Sequence, residues 1–178
     1  RLRKLKEKGC SLLLEVVAGQ NVTTMTSATT QDVVLLNDCT VGNNTFKVSN
    51  GHIFYGNGFK VTVTGNGSSN NYQLGVGIIA VESDGVLDNV EVICLNYPRA
   101  YMYTSEFKDN PTPWPYQYAA VAVSGNSTVS NCHLYGARVN LIVGIGNNVI
   151  DNCVLECAAL ANMQINSNDM GTVTLKDL

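Results

Sequence analysis

The chain of 178 residues has little charge and little proline. Charged residues make up 14% of the sequence, against the roughly 25% usual in soluble domains. The net charge of −3 leaves no polybasic surface, which argues against nucleic-acid binding. No apolar run is long enough to span a membrane, and no secretory signal peptide is recognisable. All four prolines fall between positions 98 and 115, so the rest of the chain contains no residue that would exclude a central strand.

The six cysteines follow no metal-binding or redox motif. No Cys-x-x-Cys and no mixed cysteine–histidine spacing occurs, so the sequence predicts neither a metal site nor a cofactor. Cys132 and Cys153 instead recur at one place in a repeated phrase, each directly after an asparagine. We therefore expect these two to stack as small buried thiols, and most of the cysteines to be free rather than joined in disulfides.

A phrase made of asparagine and a strand-like segment is repeated along the second half of the chain. Its clearest copies begin at Asn89, Asn131 and Asn152; the last two are 21 positions apart and the first two twice that distance apart. A period near 20 with short β-rich segments and Gly or Asn turns predicts a solenoid of stacked coils. Amide side chains at one turn of such a solenoid can hydrogen-bond from coil to coil, which favours a structural role for these asparagines over a catalytic one.

Short β-prone segments recur between the turns, about three to each period, and in the first half they fall at 33–36, 39–41, 46–48, 52–55 and 60–64. The phrase Gly-Asn-Gly-Phe-Lys-Val-Thr-Val at 56–63, the repeat length and the fixed turn asparagine resemble the coils of the pectate-lyase-like superfamily. The resemblance extends from about Val33 to Leu178. It implies an all-β fold, a right-handed parallel β-helix of coils of about 21 residues.

The length fits one domain, and we expect residues 1–178 to form a single β-helix domain. The chain has no initiator methionine and stops inside what reads as another coil, so we expect it to be part of a longer protein. Residues 1–8 favour a short helix with Leu2 and Leu5 on one face, and Gly9 is a suitable stop. Such a helix would cap the open end of the solenoid; a solvated basic tail is the alternative.

Two insertions interrupt the repeat. When Val61 is aligned with Val90, the extra residues fall at 65–75, and a longer insertion occupies 97–118. Both insertions leave after the same strand of successive coils, so the sequence predicts that the two loops lie side by side. In solenoid proteins the face that carries such insertions is often the binding face.

The longer insertion concentrates the aromatic side chains. It holds the only tryptophan and five of the eight tyrosines, together with several charged residues. Aromatic rings stack on the C–H faces of sugars while polar groups bind the hydroxyls, so this composition favours glycan binding. The alternative is a satellite core that holds the loop in place. The candidate ligand-binding residues are Tyr97, Arg99, Tyr101, Tyr103, Trp114, Tyr116 and Tyr118.

Motifs of the β-helical polysaccharide enzymes are missing from the sequence. It has no paired aspartates, no Gly-His-Gly and no acidic cluster with the arginine motif of pectate lyases. The repeat does place Glu91 and His133 at equivalent positions of adjacent coils, so their side chains are expected to be neighbours at the strand spacing of about 4.8 Å. With Arg138 nearby, they are the candidate acid–base residues; an ordinary surface pair is the alternative.

Three functions are consistent with these features and with the resemblance. The first is a non-catalytic β-helical module of an extracellular bacterial or phage surface protein that contacts glycan or protein through the aromatic loop. The second is a polysaccharide lyase or glycoside hydrolase that acts on an acidic polysaccharide, and the third is a structural spacer. The expected partners are a polysaccharide or other glycan and, by the resemblance to phage proteins, further copies of the chain.

Overall fold

Short parallel strands are the only regular structure in the part of the chain that the computed structural model describes, namely residues 19–42, 44–65, 77–95, 119–137, 139–158, 161–165 and 171–177. Every strand pairing in these ranges is parallel. The strands are β1 Gln20–Val22, β2 Val33–Leu35, β3 Cys39–Val41, β4 Phe46–Val48, β5 Ile53–Tyr55, β6 Lys60–Val63, β7 Gly77–Val81, β8 Val86–Asp88, β9 Glu91–Cys94, β10 Ala119–Val123, β11 Thr128–Ser130, β12 His133–Tyr135, β13 Val139–Val143, β14 Asn148–Asp151, β15 Val154–Glu156, β16 Ala161–Ile165 and β17 Val173–Lys176.

The strands form three sheets. Sheet A has the order β1-β2-β5-β8-β11-β14-β17, sheet B the order β4-β7-β10-β13-β16, and sheet C the order β3-β6-β9-β12-β15. From β2 onwards the chain visits sheets A, C and B in turn, and each strand pairs with its counterpart one circuit later. This all-β arrangement is compatible with the predicted parallel β-solenoid, in which each coil covers the apolar side of the one before it.

One apolar core receives side chains from all three sheets. In sheet A the register partners Leu87, Val129 and Ile150 form a row of fully buried side chains. In sheet C the partners Val92 and Leu134 form an equivalent row. Full burial of each such side chain stabilises the folded state by about 1.5–3 kcal/mol, so these stacked rows contribute strongly to stability.

One register predicted from the sequence is wrong by two positions. Val61 pairs with Val92 and not with Val90. The cause is the turn between sheets A and C, which takes residues 56–59 in the earlier coil and only residues 89–90 in the later one. Because side chains alternate between faces with a period of two, the shift leaves the inward and outward assignments unchanged.

Strands β10 and β13 are buried along their whole length. Near-continuous apolar sequences such as these are typical of parallel strands whose two faces are both covered. Sheet B at these two strands is therefore not an open ligand surface. Four of their residues form a second apolar cluster separate from the main core: Ala119, Ala122, Val139 and Ile142.

The repeated asparagines occupy the turns that lead from sheet A to sheet C. Asn89, Asn131 and Asn152 have φ angles of 58°, 56° and 50°. Asparagine adopts this left-handed conformation more readily than most other residues with a side chain. The turn conformation therefore explains why asparagine recurs at this position of the coil.

The helix predicted over residues 1–8 lies outside the described residues. Within the described ranges there is no helix, and therefore no helix with the length and apolar character needed to cross a membrane.

Candidate functional site

The two predicted insertions begin and end at neighbouring strand ends. Strand β6 ends at Val63 and β9 ends at Cys94, and these two residues are register partners. The strands that follow the insertions, β7 and β10, also begin side by side, with Gly77 opposite Ala119. Both loops therefore leave from sheet C and rejoin the coils in sheet B at adjacent positions.

The candidate ligand-binding residues of the longer loop lie outside the described residues. The same holds for Arg138, one of the three candidate catalytic residues. The part of the site that the structure describes is the outer face of sheet C, from which both loops leave. The residues outside the described ranges are Tyr97, Arg99, Tyr101, Tyr103, Trp114, Tyr116, Tyr118 and Arg138.

The other two candidate catalytic residues, Glu91 and His133, are register partners on the outer face of sheet C. Nδ1 of His133 lies 3.4 Å from Oε1 of Glu91. Lys60 precedes Glu91 in the same row, and its Nζ lies 3.9 Å from Oε2 of that carboxylate. Lysine, glutamate and histidine thus follow one another across three adjacent strands.

A fourth residue, Glu156, completes this outer cluster. Its Oε2 lies 2.9 Å from Nε2 of His133. The register partner of His133 in β15 is Val154, and Glu156 is two residues further along the same strand. Side chains two apart point to the same face of a strand. Glu156 is recognisable from the sequence as an outward carboxylate, but the repeat pairs His133 with Val154, so the contact itself is not predicted.

The two contacts of His133 depend on its protonation. A neutral imidazole has one N–H and one lone pair, whereas an ionised carboxylate only accepts hydrogen bonds. The contact of Nε2 with Glu156 is a hydrogen bond when that nitrogen carries the proton, whereas the 3.4 Å contact of Nδ1 with Glu91 is an ion pair only when the ring is charged. The side chains of His133, Glu91 and Glu156 are 36%, 32% and 52% exposed, so water reaches all three. An imidazole flanked by two carboxylates is a combination of side chains that acid–base chemistry uses.

A second histidine interaction lies at the start of sheet A strand β5. Nδ1 of His52 is 3.2 Å from Oδ1 of Asp32, and the same oxygen accepts a 2.9 Å hydrogen bond from the backbone N–H of Ile53. Both contacts fix the turn that leads into β5. The role of His52 that these contacts support is therefore structural.

The repeated asparagines are linked from coil to coil by different partners. Nδ2 of Asn152 donates to Oδ1 of Asn131 at 2.7 Å. Nδ2 of Asn131 donates to the carboxylate of Asp88, and Nδ2 of Asn89 donates to the hydroxyl of Tyr55 at 3.2 Å. The side chains at this turn therefore connect successive coils but do not form a uniform asparagine ladder.

Cys132 and Cys153 lie one coil apart beneath these turns, and each is 2% exposed. Burial raises the pKa of the Cys132 thiol well above its ordinary value. The hydrogen bond from Cys132 lowers the pKa of the Cys153 thiol. The cysteines within the described ranges are all free: Cys39, Cys94, Cys132, Cys153 and Cys157.

Charge on the coils is strongly unbalanced. The described residues contain nine aspartates and glutamates but only three lysines and no arginine. Of the eleven basic residues in the whole chain, five lie in the first eight positions. Within the described ranges, the strands and their turns therefore carry more negative than positive charge.

Metal-binding geometry does not occur in the ranges that the structure covers, where no three His, Cys, Asp or Glu side chains are grouped to hold an ion. No protein-family model, curated protein or solved structure matches the chain. Function must therefore be inferred from the site itself.

Proposed function

We propose that this chain is a non-catalytic β-helical module that contacts a glycan through its two adjacent loops. The observation that supports this most directly is the pairing of the loop ends, Val63 with Cys94 and Gly77 with Ala119. Insertions at one position of successive coils create a shared surface beside the regular stack, and solenoid proteins commonly bind ligands there.

The composition of the longer loop supports a sugar ligand. Between positions 97 and 118 the sequence contains five tyrosines and the only tryptophan, with charged residues interspersed. Rings of this kind supply large contact areas for the apolar faces of sugars, while the nearby polar groups bind the hydroxyls. We assign the ligand contacts to the residues named from the sequence, with Trp114 as the main anchor.

We further propose a right-handed coil and an extracellular location. Crossovers between parallel strands of one sheet are right-handed in about 98% of cases, because of the twist of the strands. The location on a bacterial surface or phage particle follows from the resemblance to pectate-lyase-like β-helices. Light scattering of the purified protein tests whether further copies assemble, as the resemblance to phage proteins implies.

A panel of neutral and acidic polysaccharides tests the proposed function. Binding is followed by affinity electrophoresis and by the fluorescence of Trp114, the only tryptophan. We expect at least one glycan to change the fluorescence and to retard the protein, and Trp114→Ala to abolish the retardation. Leu36→Ala is the control, because it removes an exposed apolar side chain from the turn between β2 and β3, away from the loops. A panel without any binding would contradict glycan contact and leave protein contact or the structural spacer.

A glycan-cleaving enzyme is the second candidate, and the geometry of Glu91, His133 and Glu156 favours it. His133 lies within 3.4 Å of one carboxylate and 2.9 Å of the other, on the sheet from which the loops leave. Release of reducing ends or of unsaturated uronates from the same panel tests this candidate. Product that disappears in both His133→Ala and Glu91→Ala would replace the binding function by catalysis.

A further inference from the structure

We propose that Cys132 and Cys153 form a disulfide bond between two neighbouring coils when the chain folds in the presence of a small-molecule disulfide. This modification goes beyond the glycan-binding function and does not depend on any ligand. Three observations support it: the backbone register around the two cysteines, the position of their sulfur atoms, and the location of Cys153 next to an edge strand.

The backbone holds the two cysteines side by side. On one side of the pair, the N–H of Asn131 donates to the carbonyl oxygen of Asp151 at 2.9 Å. On the other side, the N–H of Val154 donates to the carbonyl oxygen of Cys132 at 2.9 Å. Hydrogen-bonded strands lie about 4.7–4.9 Å apart, which is within the range of about 4.4–6.8 Å between the Cα atoms of disulfide-bonded cysteines.

The sulfur atoms of both residues lie in the core, on the same side of the backbone. Sγ of Cys153 is 3.6 Å from the carbonyl oxygen of Val129, which belongs to the coil of Cys132, so this side chain leans towards that coil. Sγ of Cys132 is 3.1 Å from the carbonyl oxygen of Ser130 in its own coil. The coils therefore need no change of register for the bond, which forms by rotation of the side chains.

The position of β15 makes Cys153 the first thiol to react. Both cysteines are 2% exposed in the folded protein. However, β15 directly follows Cys153 and is the last strand of sheet C in the described ranges, with Val154 and Glu156 exposed. A strand at the edge opens at a lower cost in free energy than the core strands do. The hydrogen bond from Cys132 also lowers the pKa of the Cys153 thiol, which favours the reactive thiolate.

The reaction is a pair of thiol–disulfide exchanges. The thiolate of Cys153 attacks one sulfur of the small disulfide, whose S–S bond breaks and releases one small thiolate. The thiol of Cys132 then loses its proton and attacks Sγ of Cys153, which releases the second small thiolate. The two cysteines together lose two electrons and two protons, and the small disulfide is reduced to two thiols.

Other described cysteines have no thiol beside them in the neighbouring coils. Cys94 is the register partner of Val63, and on its other side its carbonyl group lies against Gly136. Cys39 is the register partner of Val61. The stacking of the coils therefore selects one pair.

Peptide mapping tests this pairing. The variant Cys157→Gly removes an exposed thiol at a φ angle of 55°, which glycine accepts. This protein is denatured, reduced, refolded with oxidised and reduced glutathione, alkylated and then digested with trypsin under denaturing conditions. Cleavage after Lys108, Arg138 and Lys176 leaves one cysteine in each of the peptides 109–138 and 139–176. We expect these two peptides to be linked, with a mass two hydrogens below their sum.

Thermal unfolding tests whether the bond joins the folded coils. In the Cys157→Gly background, the oxidised protein should have a Tm about 5–10 °C above that of the reduced protein, because the bond restricts the unfolded chain. Cys132→Val in the same background should have one Tm with and without reductant; valine already occupies the equivalent buried position at Val90. Cys94→Ala is the matched control and should keep both the linked peptides and the difference in Tm.

The same digest applied to the native protein provides a second measurement that needs no refolding. Incubation of the reduced, folded protein with oxidised glutathione should give the same linked peptides at least roughly ten-fold more slowly than refolding does, because the thiols are buried.

The proposal is wrong if both cysteines are alkylated after oxidation by either route, or if they are linked to other cysteines or to a second chain. It is also wrong if Cys132→Val keeps a Tm that depends on reductant, since the stabilising bond then lies elsewhere. None of these outcomes bears on glycan binding, which the polysaccharide panel tests separately.

Discussion

Asn152 donates a hydrogen bond from its Nδ2 to Oδ1 of Asn131, 2.7 Å away and 21 residues earlier. The two residues occupy the same turn in successive coils, with φ angles of 50° and 56°. One side chain thus serves two purposes, since asparagine tolerates the left-handed backbone and its amide links one coil to the next. The repeat period of the sequence corresponds directly to this contact.

Substitutions at Asn131 should separate these two purposes. Asn131→Ala removes the amide and also places an unsuited residue at positive φ, so we expect a loss of about 1–3 kcal/mol in the free energy of unfolding. Asn131→Gly removes the amide but keeps the backbone preference, so its loss should be smaller. Chemical denaturation measures both. The control is Asn44→Ala at an exposed position, which should change stability little. Equal losses of stability for the alanine and glycine variants of Asn131 would show that the backbone conformation contributes nothing.

Gly85 should tolerate no side chain. A Cβ at this position would lie 2.8 Å from the carbonyl carbon of Val48 and 3.0 Å from the carbonyl oxygen of Glu82, both of which belong to the backbone. We expect Gly85→Ala to destabilise the protein by about 1–3 kcal/mol, because the coils must move apart to admit the methyl group. Gly42→Ala is the matched control, since nothing lies within 4 Å of the Cβ there. Comparable denaturation midpoints for the two variants would contradict the close stacking of these coils.

Alkaline pH should destabilise the fold through Cys94. Burial raises the pKa of this thiol from 9.0 to about 12, so the folded state keeps a proton that the unfolded chain loses. The stability that Cys94 contributes is therefore complete below pH 9 and is lost as the pH rises towards 12, by up to about 1.4 kcal/mol per pH unit. Cys94→Ala should reduce the fall in unfolding free energy above pH 9, while Cys132, whose pKa burial also raises, continues to contribute to it.

The matched control for Cys94 is Val92→Ala, which also truncates a buried side chain of β9 but removes no titrating group. It should lower stability at every pH and leave the alkaline slope as in the wild type. If Cys94→Ala and Val92→Ala have the same slope, the thiol is not the source of the pH dependence.

The contact between His133 and Glu156 should contribute little to stability. The two side chains are 36% and 52% exposed, and ion pairs in such surroundings are worth about 0–1 kcal/mol. A double-mutant cycle with His133→Ala and Glu156→Ala measures the coupling, which should decrease as salt is added. A coupling above about 2 kcal/mol, insensitive to salt, would instead indicate that water is excluded from this cluster.

Local pattern was sufficient to place strands β2 to β6. The segments 39–41 and 46–48 coincide with β3 and β4. The predicted segment 52–55 begins one residue before β5 and ends with it. The pairing of Glu91 with His133 also followed from the repeat, because equivalent positions in successive coils become register partners. Such features depend on the spacing of residues along the chain, which the sequence displays directly.

Contacts between individual side chains could not be predicted from the sequence in the same way. The partner of Asn131 on its earlier side is Asp88 and not Asn89, and the partner of Asn89 is Tyr55. The register of Val61 also differed, because the turn at residues 56–59 is longer than its counterpart. Such details depend on rotamers and on turn lengths, and two coils of similar sequence can differ in both.

The sequence by itself determined that this chain forms stacked β-coils, since a period of 21 residues with inward apolar positions leaves each coil dependent on its neighbour. It also indicated where two insertions leave the stack. Only the tertiary structure decided the register that pairs Val63 with Cys94 and the position of His133 between two carboxylates. Periodicity is a property of the chain, whereas distances and fields arise only when residues far apart in sequence are brought together.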